Sequence, residues 1–385
     1  MAIDNKDKKI LNVPHLRFPE FTEEWKAEQL DNIATLSKGI GISKEQLSED
    51  GEPCILYGEL YTKYKSEIIK QVESKTDING SKLKRSKAND VIIPCSGETA
   101  VDIATARCVP FDNILFGGDL NVISLHQYDG AFMSYQLNGK RKYDIARVAQ
   151  GVSIVHLYGE HLKAIKTYNP TLPEQQKIAK LLSLLDDRID TQNKIIEDLK
   201  KLKSAISERL FKSVKGSTVL LSDLCDIVKG KQINGENLSD SGNYYVMNGG
   251  TEPSGYYDNY NVEASTISIS EGGNSCGYVQ FNTSPFWSGG HCYSIQNIAD
   301  KVDNMYLYHY LKSNEDAIMK LRIGSGLPNI QKKDLAMFKI IVPKIEWQIK
   351  ISTFLSSLER KAEIEERIQN VMQKQKLYLL QQMFI

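Results

Sequence analysis

The chain has 385 residues, with 48 Lys and Arg against 48 Asp and Glu and a formal net charge of zero. That length supports two or three domains with real cores. The charge balance argues against a uniformly basic nucleic-acid binder but leaves room for a basic patch.

Met1–Lys9 is polar and charged, unlike a signal peptide. No apolar run approaches membrane-spanning length, so the expectation is a soluble, cytoplasmic protein with no membrane partner. Val13-Pro14-His15-Leu16-Arg17-Phe18-Pro19-Glu20-Phe21, with Trp25 beyond, reads as an extended arm with apolar anchors. From Leu30 to about residue 170, short apolar runs broken by Gly, Asn, Asp and Ser predict a strand-rich unit. Pro173 to Phe211 then reads as one long helix. Ile178, Leu182, Leu185, Ile189, Ile196, Leu199, Leu202, Ile206 and Leu210 fall at steps of three and four or their multiples, with charged residues such as Asp186 and Lys203 between them. A second strand-rich stretch follows, with short helices in the region of Met305 to Lys320. Pro343 to Phe384 reads as a second long helix, with its stripe at Ile351, Leu355, Leu358, Ala362, Ile368, Met372, Leu379 and Met383. A helix of about forty residues rises roughly 60 Å, and a narrow seam on it calls for another long helix. The predicted fold is α+β: two strand-rich domains in tandem, each followed by a long helix, the helices paired as an antiparallel coiled coil with pseudo-two-fold symmetry. The boundaries are 1–170, 171–215, 216–342 and 343–385.

The two halves repeat. Leu30-Asp31-Asn32-Ile33 before Lys38-Gly39 returns as Leu221-Ser222-Asp223-Leu224 before Lys229-Gly230. Cys54 to Gly58 aligns with Tyr245 to Gly249, which pairs Tyr57 with Asn248. Asp90 to Gly97 aligns with Ser265 to Gly272, and Phe116 to Asp119 with Ser288 to His291. Gly151, Leu162 and Pro173 align with Gly326, Leu335 and Pro343, and Leu210-Phe211 with Met383-Phe384.

Catalytic signatures are missing. The sequence has no phosphate-binding G-x-x-x-x-G-K-[ST] loop and no H-E-x-x-H pair. Tyr168-Asn169-Pro170 hints at an Asn-Pro-Pro-aromatic loop, but Thr171 stands at the second Pro, and a turn before the helix is the better reading. The six Cys are scattered without metal-ligand spacing and read as free buried thiols. His156 and His161 read as structural, and no cofactor or metal is expected.

The positive signals suit nucleic acid. Basic clusters lie at Ser81-Lys82-Leu83-Lys84-Arg85-Ser86-Lys87 and Lys140-Arg141-Lys142, with fewer charges at Lys229, Lys231 and Arg322-Ile323-Gly324-Ser325-Gly326. Cations would position phosphates while amide, hydroxyl and aromatic side chains on loops read base edges. Loop position and residue type select Lys38, Tyr57, Tyr61, Lys84, Arg85, Ser96, Thr99, Lys140 and Arg141 in the first unit. In the second they select Lys229, Lys231, Asn248, Tyr256, Asn274, Ser275, Trp287 and Arg322.

The arm Val13 to Trp25, the Leu-x-x-Ile/Leu…Lys-Gly opening of each unit and Leu172-Pro173-Glu174-Gln175-Gln176-Lys177-Ile178 resemble the specificity subunit of Type I restriction-modification enzymes over essentially the full chain. Val342 to Ile349 departs from the pattern, keeping only Glu346 and Gln348. The resemblance implies a non-catalytic subunit that binds double-stranded DNA at a split site, one half per recognition domain, with helix length setting the gap. It implies two modification subunits that methylate adenine N6 and bind S-adenosylmethionine themselves, and restriction subunits joined through them for ATP-dependent cleavage. Two other readings compete. Zero net charge and 19 Tyr would also fit a coiled-coil scaffold with protein- or glycan-binding domains, whose binding would not depend on salt. A self-contained methyltransferase would need a cofactor motif that the sequence lacks.

Overall fold

A computed structural model describes residues 12–385 except Ser325 and Leu327; the first eleven residues of the polar N-terminus lie outside the described residues, as do two positions after Arg322. The chain forms two compact units. One runs to Asn193 and takes in Ile368–Ile385; the other is Lys194–Arg367. Each unit therefore owns half of each long helix, Leu172–Ser213 and Ile345–Gln382.

The first unit holds an antiparallel sheet in the order Ala34–Lys38, Leu120–Leu125, Asp90–Pro94, Arg107–Val109. Asp90–Pro94 is buried along its whole length. It has core on both faces: Val91 and Ile93 pack in one apolar cluster and Ile92 in another. That is why it reads as a continuous β-branched run rather than an alternating one. A second sheet is built around a parallel pair, Cys54–Ile55 with Leu115–Phe116. The second unit repeats the plan. Its four strands run in the order Asp226–Lys229, Cys292–Gln296, Thr266–Ser270, Val279–Asn282, and its parallel pair is Val246–Met247 with Trp287–Ser288. Each unit also has a two-stranded ribbon at the foot of a long helix: Lys26–Gln29 with Lys166–Asn169, and Ser217–Leu220 with Lys339–Val342.

The backbone hydrogen bonds correct the sequence register of the repeat. Gly117 N donates to Ile55 O at 2.9 Å and Gly289 N to Met247 O at 2.8 Å. Leu56, not Tyr57, therefore corresponds to Asn248. Cys95 N donates to Asp119 O and Glu271 N to His291 O, so Cys95 matches Glu271 rather than Ser270. Gln150 bridges His156 and Ile323 bridges Asn329, which makes Gly324 the partner of Gly151; both have positive φ, 106° and 121°. Gln175 spans from Asp129 N (2.9 Å) to Pro170 O (2.8 Å), and Gln348 from Asp303 N (2.9 Å) to Pro343 O (2.8 Å). Pro170, not Pro173, is thus the equal of Pro343. Each slip lies in or beside a loop, where insertions are cheap.

The helices pair antiparallel within each unit, and the seam is less apolar than the predicted stripe. In the first unit Lys376 reaches Asp186 (2.7 Å) and Glu67 (2.6 Å), and Tyr135 donates to Asp186 at 2.7 Å. In the second, Lys203 reaches Glu359 at 2.6 Å and Tyr308 donates to it at 3.1 Å. Asp186 and Gln192 are buried, while Leu202 and Ile368, placed on the stripes by sequence, are exposed. Burial works to lower the Lys376 pKa, but Glu67 and Asp186 outweigh it and hold the ammonium above its usual range.

Among the described residues, an arm of this kind packs on the first unit alone. Glu174, fully buried, accepts from Arg17 Nε and Nη2 at 2.7 Å each and from Trp25 Nε1 at 3.3 Å. Trp25 stacks edge-on against Phe132 and Phe384. In the second unit the corresponding residue is Trp347, which is exposed.

Candidate nucleic-acid interface

One corner recurs in both units. The strand Ala34–Lys38 ends at Lys38, and Gly39 N then donates to Leu120 O at 2.9 Å. The strand Asp226–Lys229 ends at Lys229, and Gly230 N donates to Cys292 O at 2.9 Å. A Cβ on Gly39 would overlap the Gly117 carbonyl oxygen, and one on Gly230 that of Gly289. No side chain fits at either glycine, and the close approach turns the preceding lysine out to solvent.

Around the first corner the structure gathers several of the predicted residues. Lys38 Nζ lies 5.7 Å from the centre of the Tyr158 ring, a weak attraction at an exposed site. Tyr158 stacks on His156 and meets His161 edge-on. Ser96 pairs in a short ribbon with His156, and Tyr61 donates to Ser96 O at 2.9 Å. Burial pushes the Tyr61 phenol above its ordinary range, so it stays a hydroxyl donor. Tyr57 is exposed just before the turn Glu59–Thr62. Thr99 is occupied as the cap of Ala100–Ile103, accepting from Asp102 N at 3.1 Å.

Around the second corner Lys229 Nζ binds Glu271 Oε1 at 2.6 Å, and Tyr293 donates to the same oxygen at 3.0 Å. Asn248 Oδ1 accepts from His291 N at 3.1 Å. Trp287 donates from Nε1 to Lys231 O at 2.9 Å and packs edge-on against Tyr257. Tyr256 pairs in the strand Tyr256–Tyr257, and Asn274 and Ser275 lie in the turn that follows Gly273. Arg322 is exposed beside the Ile323–Asn329 bridge.

Other predicted residues are committed elsewhere. Arg85 forks onto Glu52 at 2.6 and 3.0 Å, which lifts the guanidinium above its usual range. Its neighbour Lys84 shares a short strand at the sheet edge. Arg141 is largely covered, donates to Ile385 O at 2.8 Å and stacks on Tyr168; its place in the fold is to tie down the end of the second long helix. Lys140 is exposed on the adjoining turn.

Sequence reading passed over Tyr158 and Asp119 and treated His156 as structural. The repeat could have pointed to Asp119 and His291, since it aligned them; Tyr158 carried no signal, because only the ribbon Val155–His156 brings it to Lys38. Among the described residues no cluster of His, Cys, Asp and Glu could hold a metal ion, and no helix is long and apolar enough to cross a membrane. All six cysteines are free and buried.

Residues 22–201 and 215–374 each match the family model for the Type I restriction modification DNA specificity domain. A putative type I specificity subunit of Mycoplasma genitalium is 34% identical over 122 residues, 31% of this chain and 31% of the relative. One from Mycoplasma pneumoniae is 32% identical over 145 residues, 37% and 38% of the two chains. The matches thus span well under two thirds of these relatives. The type I restriction enzyme MjaVIII specificity subunit of Methanocaldococcus jannaschii matches at 24% over 420 residues, 96% of this chain and 94% of that one. The crystal structure of the S subunit of a Type-I restriction-modification system from M. genitalium shares the fold, with TM-score 0.68 and 19% identity over 97% of this chain and 99% of that chain.

Proposed function

Because this chain belongs to the Type I restriction modification DNA specificity family, we propose that it is the DNA-reading subunit of such a system and recognises a bipartite site, one half-site per unit. The observation that carries this reading is the corner built twice. Lys38-Gly39 and Lys229-Gly230 stand on the same backbone hydrogen bonds, while the side chains around them differ. A shared cation is what phosphate positioning needs, and differing neighbours are what reading two different base sequences needs. The chain performs no chemistry in this reading. Two modification subunits methylate adenine N6 in each half, flipping the base to reach it, and restriction subunits join through them. The length of the long helices, not a base contact, sets the unread gap.

Single-molecule methylation sequencing of DNA from a host carrying this chain with its modification subunit tests the proposal. The expected result is a split motif with N6-methyladenine on opposite strands of its halves. Binding by the assembled complex that shows no sequence preference at physiological salt sinks it.

A further inference from the structure

Asp119 and His291 hold the same place in the two corners. Asp119 O accepts from Cys95 N at 2.7 Å, and His291 O from Glu271 N at 2.9 Å. The next residues, Leu120 and Cys292, each accept from the corner glycine, Gly39 or Gly230. Both side chains are exposed beside the shared lysine. Asp119 has φ of 58°, a left-handed backbone that few non-glycine residues adopt and that often marks a working position.

The residue types decide what such a position can touch. A phosphate would repel Asp119, so the place is not a phosphate contact common to both units. Base edges present both donors and acceptors, so a base-reading position accommodates either residue. Ionised Asp only accepts. It suits an exocyclic amino group, N4 of cytosine or N6 of adenine.

His291 is backed by a carboxylate with a free oxygen. Glu271 is buried, and its Oε1 takes Lys229 and the Tyr293 hydroxyl. Its Oε2 is buried without a hydrogen-bond partner, and His291 Nδ1 lies 3.7 Å away. A small rotation of the imidazole closes that gap and satisfies the oxygen. The groups facing the ring are Glu271, Lys229 and Tyr293. A carboxylate only accepts, so Nδ1 carries the proton it gives to Glu271, and Nε2 is left facing outward to a base edge.

Resting on the DNA-reading assignment above, we propose that Asp119 and His291 are paired specificity residues. Asp119 accepts from an amino group of cytosine or adenine in one half-site. His291, held by Glu271, presents Nε2 to a base edge in the other.

The test uses the full chain assembled with its modification subunits, first to define the wild-type motif and then with Asp119→Asn and His291→Ala. Both positions are exposed, and Asn tolerates the left-handed backbone, so the variants should melt with the parent. His291→Ala should lose about tenfold discrimination at one base pair of its half-site, and Asp119→Asn a similar factor at one cytosine or adenine of the other. A wild-type split motif that both variants retain unchanged overturns the inference while leaving DNA reading intact. Discrimination unchanged at every position of its half-site in His291→Ala overturns the role of His291. A parent with no motif removes the DNA-reading assignment, and the inference falls with it.

Discussion

Gln175 and Gln348 are single residues that each join three pieces of chain. The amide oxygen takes the backbone N–H of the aspartate that caps a helix, Asp129 or Asp303, and the amide nitrogen reaches the proline before the long helix. Gln348 is fully buried, so Gln348→Leu leaves the Asp303 N–H and Pro343 O groups without this partner. A loss of about 1–3 kcal/mol is expected, read by denaturant unfolding; a loss within error would show that the lock is ornamental. His309 is a second residue with a definite consequence. It is buried, meets Ser356 Oγ at 2.8 Å, and burial pulls its pKa from 6.5 down to about 4. A group whose folded pKa lies below its unfolded value binds fewer protons in the fold, so the stability it contributes is full above 6.5 and drains as pH falls toward 4. The loss is on the order of 3 kcal/mol. Thermal melts of the parent should fall across that window, and His309→Gln should flatten the fall; an identical acid limb in the variant would assign it to other groups. Neither role was legible in sequence. Gln348 was noticed only as a remnant of a motif, and an isolated His gives no sign of what covers it.

The long helices were legible because their length, their spacing of apolar residues and their freedom from Gly and Pro are local properties. What binds them was not. Sequence placed Asp186 and Lys203 among the solvated residues, yet Asp186 is buried under Lys376 and Tyr135, and Lys203 meets Glu359, which also accepts from Tyr308. The offset that relates Asp186 to Glu359 also relates Lys203 to Lys376, and it is the offset between Gln175 and Gln348. The two ion pairs are therefore one interaction made twice, with the charges exchanged between the helices. A charged residue whose partner is on a remote helix looks like a surface residue in sequence, while Leu202 and Ile368 fit the spacing but meet nothing large enough to cover them. The pair in the first unit is the more deeply covered, and Lys376 faces two carboxylates. Lys376→Met should cost about 3–5 kcal/mol, because it removes the ammonium that touches both Glu67 and Asp186 and leaves them only the more distant charge of Arg107. The variant should be less handicapped at acid pH. Carboxyls forced to protonate in the fold bind more protons there than when unfolded, so stability rises as pH falls. Unfolding of parent and variant at about pH 5 and about pH 8 checks both statements, and a deficit independent of pH would mean the cost is packing alone.

At the scale of the whole molecule, the repeat of unit and helix could be read from the chain because its anchors leave no room for an added residue: Leu30 and Leu221 open the short helical turns that lead into the first strand of each four-stranded sheet, and Lys38-Gly39 and Lys229-Gly230 end those strands at the corner. The register slipped at Leu56, Cys95, Pro170 and Gly324, where matching letters competed with hydrogen bonds that only the fold reveals. The candidate site was legible in part for the same reason: the lysines belong to the anchors, whereas Tyr158, Asp119 and Glu271 are assembled by loops. Duplication also makes a quantitative demand on binding. If Lys38 and Lys229 each neutralise one phosphate in separate half-sites, each contributes one released counterion. The slope of log affinity against log salt should become shallower by about 0.9 in Lys38→Ala and by the same amount in Lys229→Ala. Sites that share no partner add, so the double variant should lose about 1.8 from the slope, with the recognised motif unchanged in all three. Lys229 must leave part of its contact with Glu271 to reach a phosphate, so a smaller change there than at Lys38 would show the lysine staying on the carboxylate. Filter-binding titrations of the assembled complex from low to moderate salt measure this. A slope that does not move in either single variant would take both lysines off the DNA, and a double variant no different from the singles would mean that the two corners do not read independent halves.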